Sequence, residues 1–273
     1  MVAESGVLSI DLGDGKTVDV TRIGSVPPAR SAFFLGVPKS GSTLLHQVVE
    51  DICFESRQEL INISDSCFKA GIRERFIPDP ILPGLPDNRP AFYYGFRLIG
   101  KLAKSRAFRL GPKVILVRDP RDALTSLYFS MQRSHMVPVE GDTSRMIASQ
   151  RELANAVTID EFVQSGNGDF IIDAMRDIGK VLWLPNVYLY RYEDIILRKR
   201  AWIRHLSDRA GLTLSDEVLE KVLEKHDIVP EGELPGDHIR QVRPGNYLRH
   251  LGPDTIDYIR RKGADVLQTF AYH

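Results

Sequence analysis

The run Phe33-Phe34-Leu35-Gly36-Val37-Pro38-Lys39-Ser40-Gly41-Ser42-Thr43-Leu44-Leu45 constrains this chain more than any other. An apolar strand enters a loop of small residues holding one lysine. A helical pattern follows, with Leu44, Leu45, Val48, Val49 and Ile52 on one face. A helix that starts in such a loop presents unpaired backbone N–H groups and the positive end of its dipole, and glycine and serine let an anion come close to the backbone. The unit is therefore a phosphate cradle. It departs from the nucleoside-triphosphate loop G-x-x-x-x-G-K-[ST], whose lysine directly follows the second glycine. Gly36 and Gly41 keep the glycine spacing, but Ser42 fills the lysine's place and Lys39 stands three positions earlier. A cation there holds a different part of the anion, which favours a phosphate ester with another reactive end over ATP or GTP.

The rest of the chain repeats the strand-then-helix order. Val114-Ile115-Leu116-Val117 reads as a buried parallel strand ending at Arg118, with a helix from Pro120 through about Ser134. Helical patterns near 145–155 and 158–180, a strand at Val187-Tyr188-Leu189-Tyr190, and helices near 197–211, 215–226 and 254–270 complete it. The expectation is an α/β chain: a three-layer parallel sheet with helices on both faces and ligands at the carboxyl ends of the strands, where Lys39 and Arg118 both fall. Ahead of this, Val7–Leu12 and Thr17–Val20 alternate around Gly13-Asp14-Gly15, predicting an N-terminal β-hairpin. We divide the chain into that extension, 1–30, and a main domain, 31–273. The segment 76–112, rich in proline, glycine and aromatics, reads as an irregular lid or acceptor pocket with little regular structure before Phe92; Phe92-Tyr93-Tyr94 reads as core or lid packing.

Composition enters chiefly by exclusion. The 36 basic and 36 acidic side chains cancel, which argues against broad electrostatic binding to nucleic acid or an anionic membrane, and 43% hydrophobic residues suffice for a core. Two cysteines make no disulfide framework, and neither a leader nor a membrane-spanning apolar run is visible. These features read as a cytoplasmic protein without a transmembrane segment. No His, Cys or carboxylate group has metal-ligand spacing, so no metal is expected.

A second constellation is Arg118-Asp119-Pro120-Arg121-Asp122-Ala123-Leu124-Thr125-Ser126. An arginine at a strand end offers a planar fork of donors to phosphate oxygens, and Ser126, eight residues on, can add a hydroxyl from the helix. The bland alternative for Arg118 is an ion pair with Asp119 or Asp122. Arg240, in Arg240-Gln241-Val242-Arg243-Pro244-Gly245-Asn246-Tyr247, could close over the same ligand from a loop. Together these residues suggest two anionic groups on one ligand.

With these motifs the chain resembles the sulfotransferases that use 3′-phosphoadenosine 5′-phosphosulfate (PAPS), in their cytosolic-type and bacterial branch. The resemblance runs from Phe33 to about Pro253. It implies a P-loop, nucleoside-kinase-like fold with PAPS as donor and 3′-phosphoadenosine 5′-phosphate (PAP) as product. The P-K-S-G-[ST]-T loop assigns Pro38, Lys39, Ser40, Gly41, Ser42 and Thr43 to the 5′-phosphosulfate, with Lys39 near the bridging oxygen. The R-[DN]-P-[RK]-D-x-x-x-S element assigns Arg118 and Ser126 to the 3′-phosphate. Tyr190-Arg191-Tyr192-Glu193-Asp194 is similar to a strand ending in Y-E-D, whose tyrosine, here Tyr192, lies by adenine. Arg240 and Gly245 match the R-x-G-x-x-G-x-W loop over the 3′-phosphate, while Val242 and Tyr247 replace its first glycine and its tryptophan.

Other departures bear on the chemistry. Leu44 stands where many relatives stack an aromatic on adenine, and no histidine lies between His46 and His135, where the eukaryotic enzymes carry their base. Related branches use a glutamate about twenty residues after the loop lysine, which points to Glu59, with Glu55 and Asp65 as alternatives. A solvated face beside Arg57 is the competing reading of Glu59. His46, His135 and His226 read as structural or exposed. The family's short C-terminal dimer motif is not visible in Leu251–Thr255. The implied activity is sulfuryl transfer to a hydroxyl or amine of a small-molecule or glycan acceptor, such as a carbohydrate or small alcohol. The rivals are a P-loop small-molecule kinase, with Asp119 acting on Mg²⁺, and a non-catalytic PAP- or PAPS-binding relative.

Overall fold

A computed structural model describes residues 5–13, 16–70, 81–95, 99–134, 142–228 and 242–273. Its frame is a seven-stranded sheet in the order β1-β2-β4-β5-β3-β6-β7. The strands are β1 (Ser5–Gly13), β2 (Lys16–Ile23), β3 (Ala32–Gly36), β4 (Leu60–Asn62), β5 (Phe92–Tyr94), β6 (Lys113–Val117) and β7 (Val187–Arg191). The five strands from β3 to β7 run parallel, and the hairpin β1–β2 joins antiparallel to β4. The hairpin is thus built into the sheet: Ile10, Val18 and Val20 are buried in the same core as Phe33 and Ile115.

The intervening helices are α1 (Ser42–Ser56), α2 (Ile63–Lys69), α3 (Ile81–Asn88), α4 (Ile99–Leu102), α5 (Arg106–Leu110), α6 (Pro120–Phe129), α7 (Asp142–Ala156), α8 (Ile159–Gln164) and α9 (Asp169–Gly179). After β7 come α10 (Tyr192–Ile195), α11 (Lys199–Ala210), α12 (Asp216–His226), α13 (Tyr247–His250), α14 (Pro253–Lys262) and α15 (Ala264–Thr269). Where the sequence suggests one helix over 158–180, the chain makes two, α8 and α9, with Gly166 at φ 83° between them. The segment before Phe92 is more regular than expected, since it includes α3, and Phe92–Tyr94 is a central strand. A three-residue strand is too short for alternation to reveal it. No helix among the described residues is long and apolar enough to cross a membrane.

Strand alternation sorts the core into two layers. Phe33, Leu35, Ile115 and Val117 face one side, with residues of α5, α6, α8 and α9. Ala32, Phe34, Val114 and Leu116 face the other, with residues of α1, α11 and α12. The chain leaves central β3 toward β4 and β5 on one side, then crosses to β6 on the other. The strand order therefore reverses between β3 and β6, and the crevice outside the carboxyl ends at such a reversal is where open α/β sheets bind ligands.

At the opposite edge, Lys113 is fully buried at the start of β6. Its Nζ donates to the carbonyls of Phe108 at 2.8 Å, Arg109 at 3.3 Å and Gly111 at 2.6 Å, closing the carboxyl end of α5. Burial lowers its pKa to about 8. Replacing it by a side chain of similar length without donors leaves those carbonyls unpaired inside the protein. We expect Lys113→Met to lower unfolding free energy by about 2–4 kcal/mol in urea titrations, and an unchanged midpoint would refute the capping role.

Candidate active site

The loop from β3 to α1 is held from below. Ser40, fully buried, donates its hydroxyl to the carbonyls of Val37 at 2.7 Å and of Leu116 on β6 at 3.0 Å. Its N–H bonds Val37 at 3.1 Å, so Ser40 braces the loop against two strands. Lys39 takes the left-handed backbone region at φ 65°, a conformation that costs a side-chain-bearing residue on the order of 1–3 kcal/mol and concentrates at ligand sites. Gly41 follows at φ 88° as the N-cap of α1 and provides no side-chain cap. The first N–H groups of α1, at Ser42, Thr43 and Leu44, have no acceptor within the helix. Glycine is required at Gly36 too: a Cβ there would stand 2.6 Å from that of Ser42. What the strand, turn and helix build is an anion-shaped nest lined by backbone.

Across the crevice, β6 ends at Arg118, which is buried. The four charged and proline positions that follow divide the work. Asp119 caps α6 by accepting from the Arg121 N–H at 2.9 Å, and its carboxylate takes the Arg121 guanidinium at 2.6 Å. Arg121 lies over the Tyr247 ring, 4.7 Å from its centroid. Asp122, buried at 1% exposure, accepts from the backbone N–H of Gly245 at 2.8 Å and of Tyr247 at 2.9 Å. The loop at 242–247 is therefore fastened to the strand-end turn by Asp122, with Tyr247 packing where the resemblance places a tryptophan. Arg118 is left with a looser ion pair to Asp122, at 3.7 Å, and its buried Nε has no hydrogen-bond partner. On α6, Ser126 lies one turn after Asp122 and is half-buried.

Tyr192 ties the two halves together. Its ring packs so closely on the loop that a Cβ at Gly41 would come within 2.9 Å of it. The Arg118 guanidinium sits 4.3 Å from the ring centroid, and the hydroxyl donates to the Val242 carbonyl at 3.0 Å. Burial raises the phenol pKa to about 12, so it stays protonated and donating. Lys39 has its pKa pushed down to about 8, first by burial and then by the charge of Arg118. That second cause places both cations in one electrostatic environment.

The structure thus brings together Pro38, Lys39, Ser40, Gly41, Ser42, Thr43, Arg118, Tyr192 and Gly245, with Ser126 farther along α6; Arg240 lies outside the described residues. Two roles differ from expectation. Ser40 offers its hydroxyl to strand carbonyls, and Tyr192 spends its ring and hydroxyl on loop, arginine and backbone.

Glu59 is not brought to this site. It precedes β4, level with the amino ends of the parallel strands, whereas the loop lies at their carboxyl ends. There it is buried and accepts from Arg89 Nε at 2.8 Å and Nη2 at 2.6 Å, with Arg22 at 3.9 Å. A carboxylate so paired holds two elements together and has no route to a substrate in the crevice. Glu55, near the end of α1, pairs with Lys221 of α12 at 3.1 Å. Asp65, at the start of α2, is on the loop's edge.

A further polar group stands at that edge, the histidine that the sequence places among the structural or exposed ones. His46, one turn into α1 beyond Ser42, stacks on Tyr94 with centroids 4.3 Å apart and accepts from Asn62 at 2.8 Å. Tyr94 in turn donates to the Ser42 carbonyl at 2.7 Å. The available signal was the helical spacing from Ser42 to His46; its significance depended on recognising β4 and β5.

The family model described as a sulfotransferase domain matches residues 98–228, a span that includes Arg118, Ser126 and Tyr192 and excludes the Lys39 loop. No curated protein sequence matches the chain. Among solved structures, a mouse sulfotransferase complexed with PAP superposes with a TM-score of 0.55 at 13% identity, covering 87% of this chain and 84% of its own. Retinol dehydratase, solved with androsterone and PAP, gives 0.50 at 14% identity, covering 96% of this chain and 90% of its own. Residues 98–228 thus match a sulfotransferase domain, and the fold is shared along most of the chain with these two structures.

Proposed function

We propose that the chain transfers a sulfuryl group from PAPS to a hydroxyl or amine of a small-molecule or glycan acceptor. The observation that carries this reading is the pair of cations at the β3–β6 crevice, Lys39 with its pKa depressed by burial and by Arg118. Two cations forced together in a cleft with an uncapped helix start match a ligand with two separated anionic ends. The backbone nest and Lys39 would take the 5′-phosphosulfate, and Arg118 with Ser126 the 3′-phosphate that ATP lacks. The orphaned Arg118 Nε supports this assignment, since it offers a buried donor that the protein leaves unused.

The chemistry asked of these residues is positioning and charge stabilisation, as in phosphoryl transfer. As the S–O bond to the 5′-phosphate breaks, negative charge grows on the departing oxygen, and the Lys39 ammonium and loop N–H groups stabilise it. The kinase alternative asks Asp119 to hold Mg²⁺, but Asp119 is already engaged by Arg121 and by the α6 cap. Androsterone in a fold neighbour is compatible with a small alcohol as acceptor.

Calorimetry tests the donor. We expect PAP to bind at least about 30-fold more tightly than ATP, and Arg118→Ala to remove that preference; equal affinity in the unaltered protein would overturn the reading. Protonation offers a separate check. The ammonium at Lys39 is half lost at about pH 8 in the empty protein, and a bound anion raises its pKa again. Binding above that pH must therefore take up a proton, and affinity must fall as pH rises through it. Proton uptake, measured in buffers of different ionisation enthalpy, should vanish in Lys39→Arg, which stays charged throughout.

A further inference from the structure

We propose that His46 is the base that takes the acceptor's proton, an inference that rests on the donor reading above. It sits where that task has to be done. His46 lies one turn after the loop on α1, against Tyr94 and Asn62 at the carboxyl ends of β5 and β4, the edge that borders the loop through the Tyr94–Ser42 bond. Its ring is fixed by the face of Tyr94, which is itself bonded to the loop residue Ser42, so the base and the anion nest are parts of one rigid unit.

The hydrogen bonds define which nitrogen is available. Asn62 Oδ1 accepts from the Asp65 N–H at 3.1 Å, which fixes the amide's orientation and leaves its NH₂ to donate to His46 Nε2 at 2.8 Å. The lone pair therefore resides on Nε2, and the proton of the neutral ring on Nδ1, facing Asp65 Oδ2 at 3.8 Å. The ring is thus oriented by Asn62 and the face of Tyr94, with Asp65 at ion-pair distance only, and Asn62 occupies the position that an acceptor hydroxyl would take. Around the ring stand Glu50, 3.5 Å from Nε2, Asp65 and Lys69. Burial outweighs the two carboxylates and holds the imidazole pKa below its ordinary value, with Lys69 acting in the same direction, so the ring is neutral and able to accept near pH 7.

The step balances within the site. The acceptor O–H bond breaks and its proton moves to His46 Nε2, while the acceptor oxygen forms a bond to sulfur. The bond from sulfur to the bridging oxygen breaks, and its electron pair leaves with PAP beside Lys39. The imidazolium lies between Glu50 and Asp65 until it releases its proton to water.

The test measures PAP release from PAPS at about pH 8 with phenol, whose hydroxyl must lose a proton, and with 4-nitrophenol, which is already ionised there. PAP affinity is followed in parallel by calorimetry. We expect His46→Asn to bind PAP within about threefold of wild type and to lose about 100-fold in kcat with phenol. Its loss with 4-nitrophenol should be at least about tenfold smaller, because an ionised acceptor needs no base. In the wild type with phenol, the acidic limb of the rate should track the His46 imidazole and disappear in the variant. Equal losses with both phenols, or phenol turnover within threefold of wild type, would overturn the assignment. A wild-type protein that does not bind PAP would instead remove the donor reading on which it stands, and one that binds PAP without releasing it from PAPS would remove the base along with the transfer.

Discussion

Two like charges meet at the one place where the sheet reverses its strand order, and a folded protein holds them there against their mutual repulsion. Lys39 loses proton affinity both to burial and to Arg118, a penalty on the order of a few kcal/mol in the empty molecule. An anion spanning the crevice removes that penalty, because it restores the solvation that burial took away and screens one cation from the other. On the donor reading proposed above, affinity for a doubly anionic ligand would draw on the strained backbone at Lys39 and the unused donor of Arg118.

Holding such a crevice open requires that neighbouring charges be prevented from collapsing into it. The Arg-Asp-Pro-Arg-Asp turn does this by sending each group to a different partner. Asp119 is satisfied by Arg121, and Asp122 by the amides of Gly245 and Tyr247, so neither carboxylate is available to neutralise Arg118 fully. Glu193 secures the same turn from β7's side by accepting from the Asp119 N–H at 2.9 Å, and Tyr272 donates to Glu193 at 3.0 Å. Three distant parts of the chain therefore converge on one strand end, and the buried Arg118 guanidinium owes its unpaired Nε to them.

Legibility of the sequence followed the length of the signal. β3, β6 and β7 were readable because each is a run of apolar residues leading into a helix, and the cradle was readable because glycine spacing and a lysine report backbone shape directly. β4 and β5 were not, since three residues cannot display a period, and their place in the sheet is fixed by pairing, β5 with β3 and β4 with β5, rather than by their own composition. The same limit governs the site. Residues adjacent in a motif, such as Lys39 to Thr43 or Arg118 to Ser126, were found together. The fastening of Gly245 by Asp122 joins positions 123 apart in the chain, and no local pattern encodes it.

The misplacement of Glu59 shows why spacing along the chain is a poor guide to which edge of a sheet a residue occupies. In a parallel sheet the amino and carboxyl ends have opposite fates: one is closed by tight connections and ion pairs, the other is open to ligands. Glu59 and Asn62 are separated by about 10 Å of strand, and that step carries the chain from one edge to the other. At the first, a carboxylate meets Arg89 and Arg22; at the second, an amide meets His46 beside the anion nest. Chemistry at the open edge is drawn from whichever element arrives there. In this chain that element is the helix of the cradle itself, so the group that would accept a proton is carried on the same rigid backbone as the N–H groups that would grip the donor.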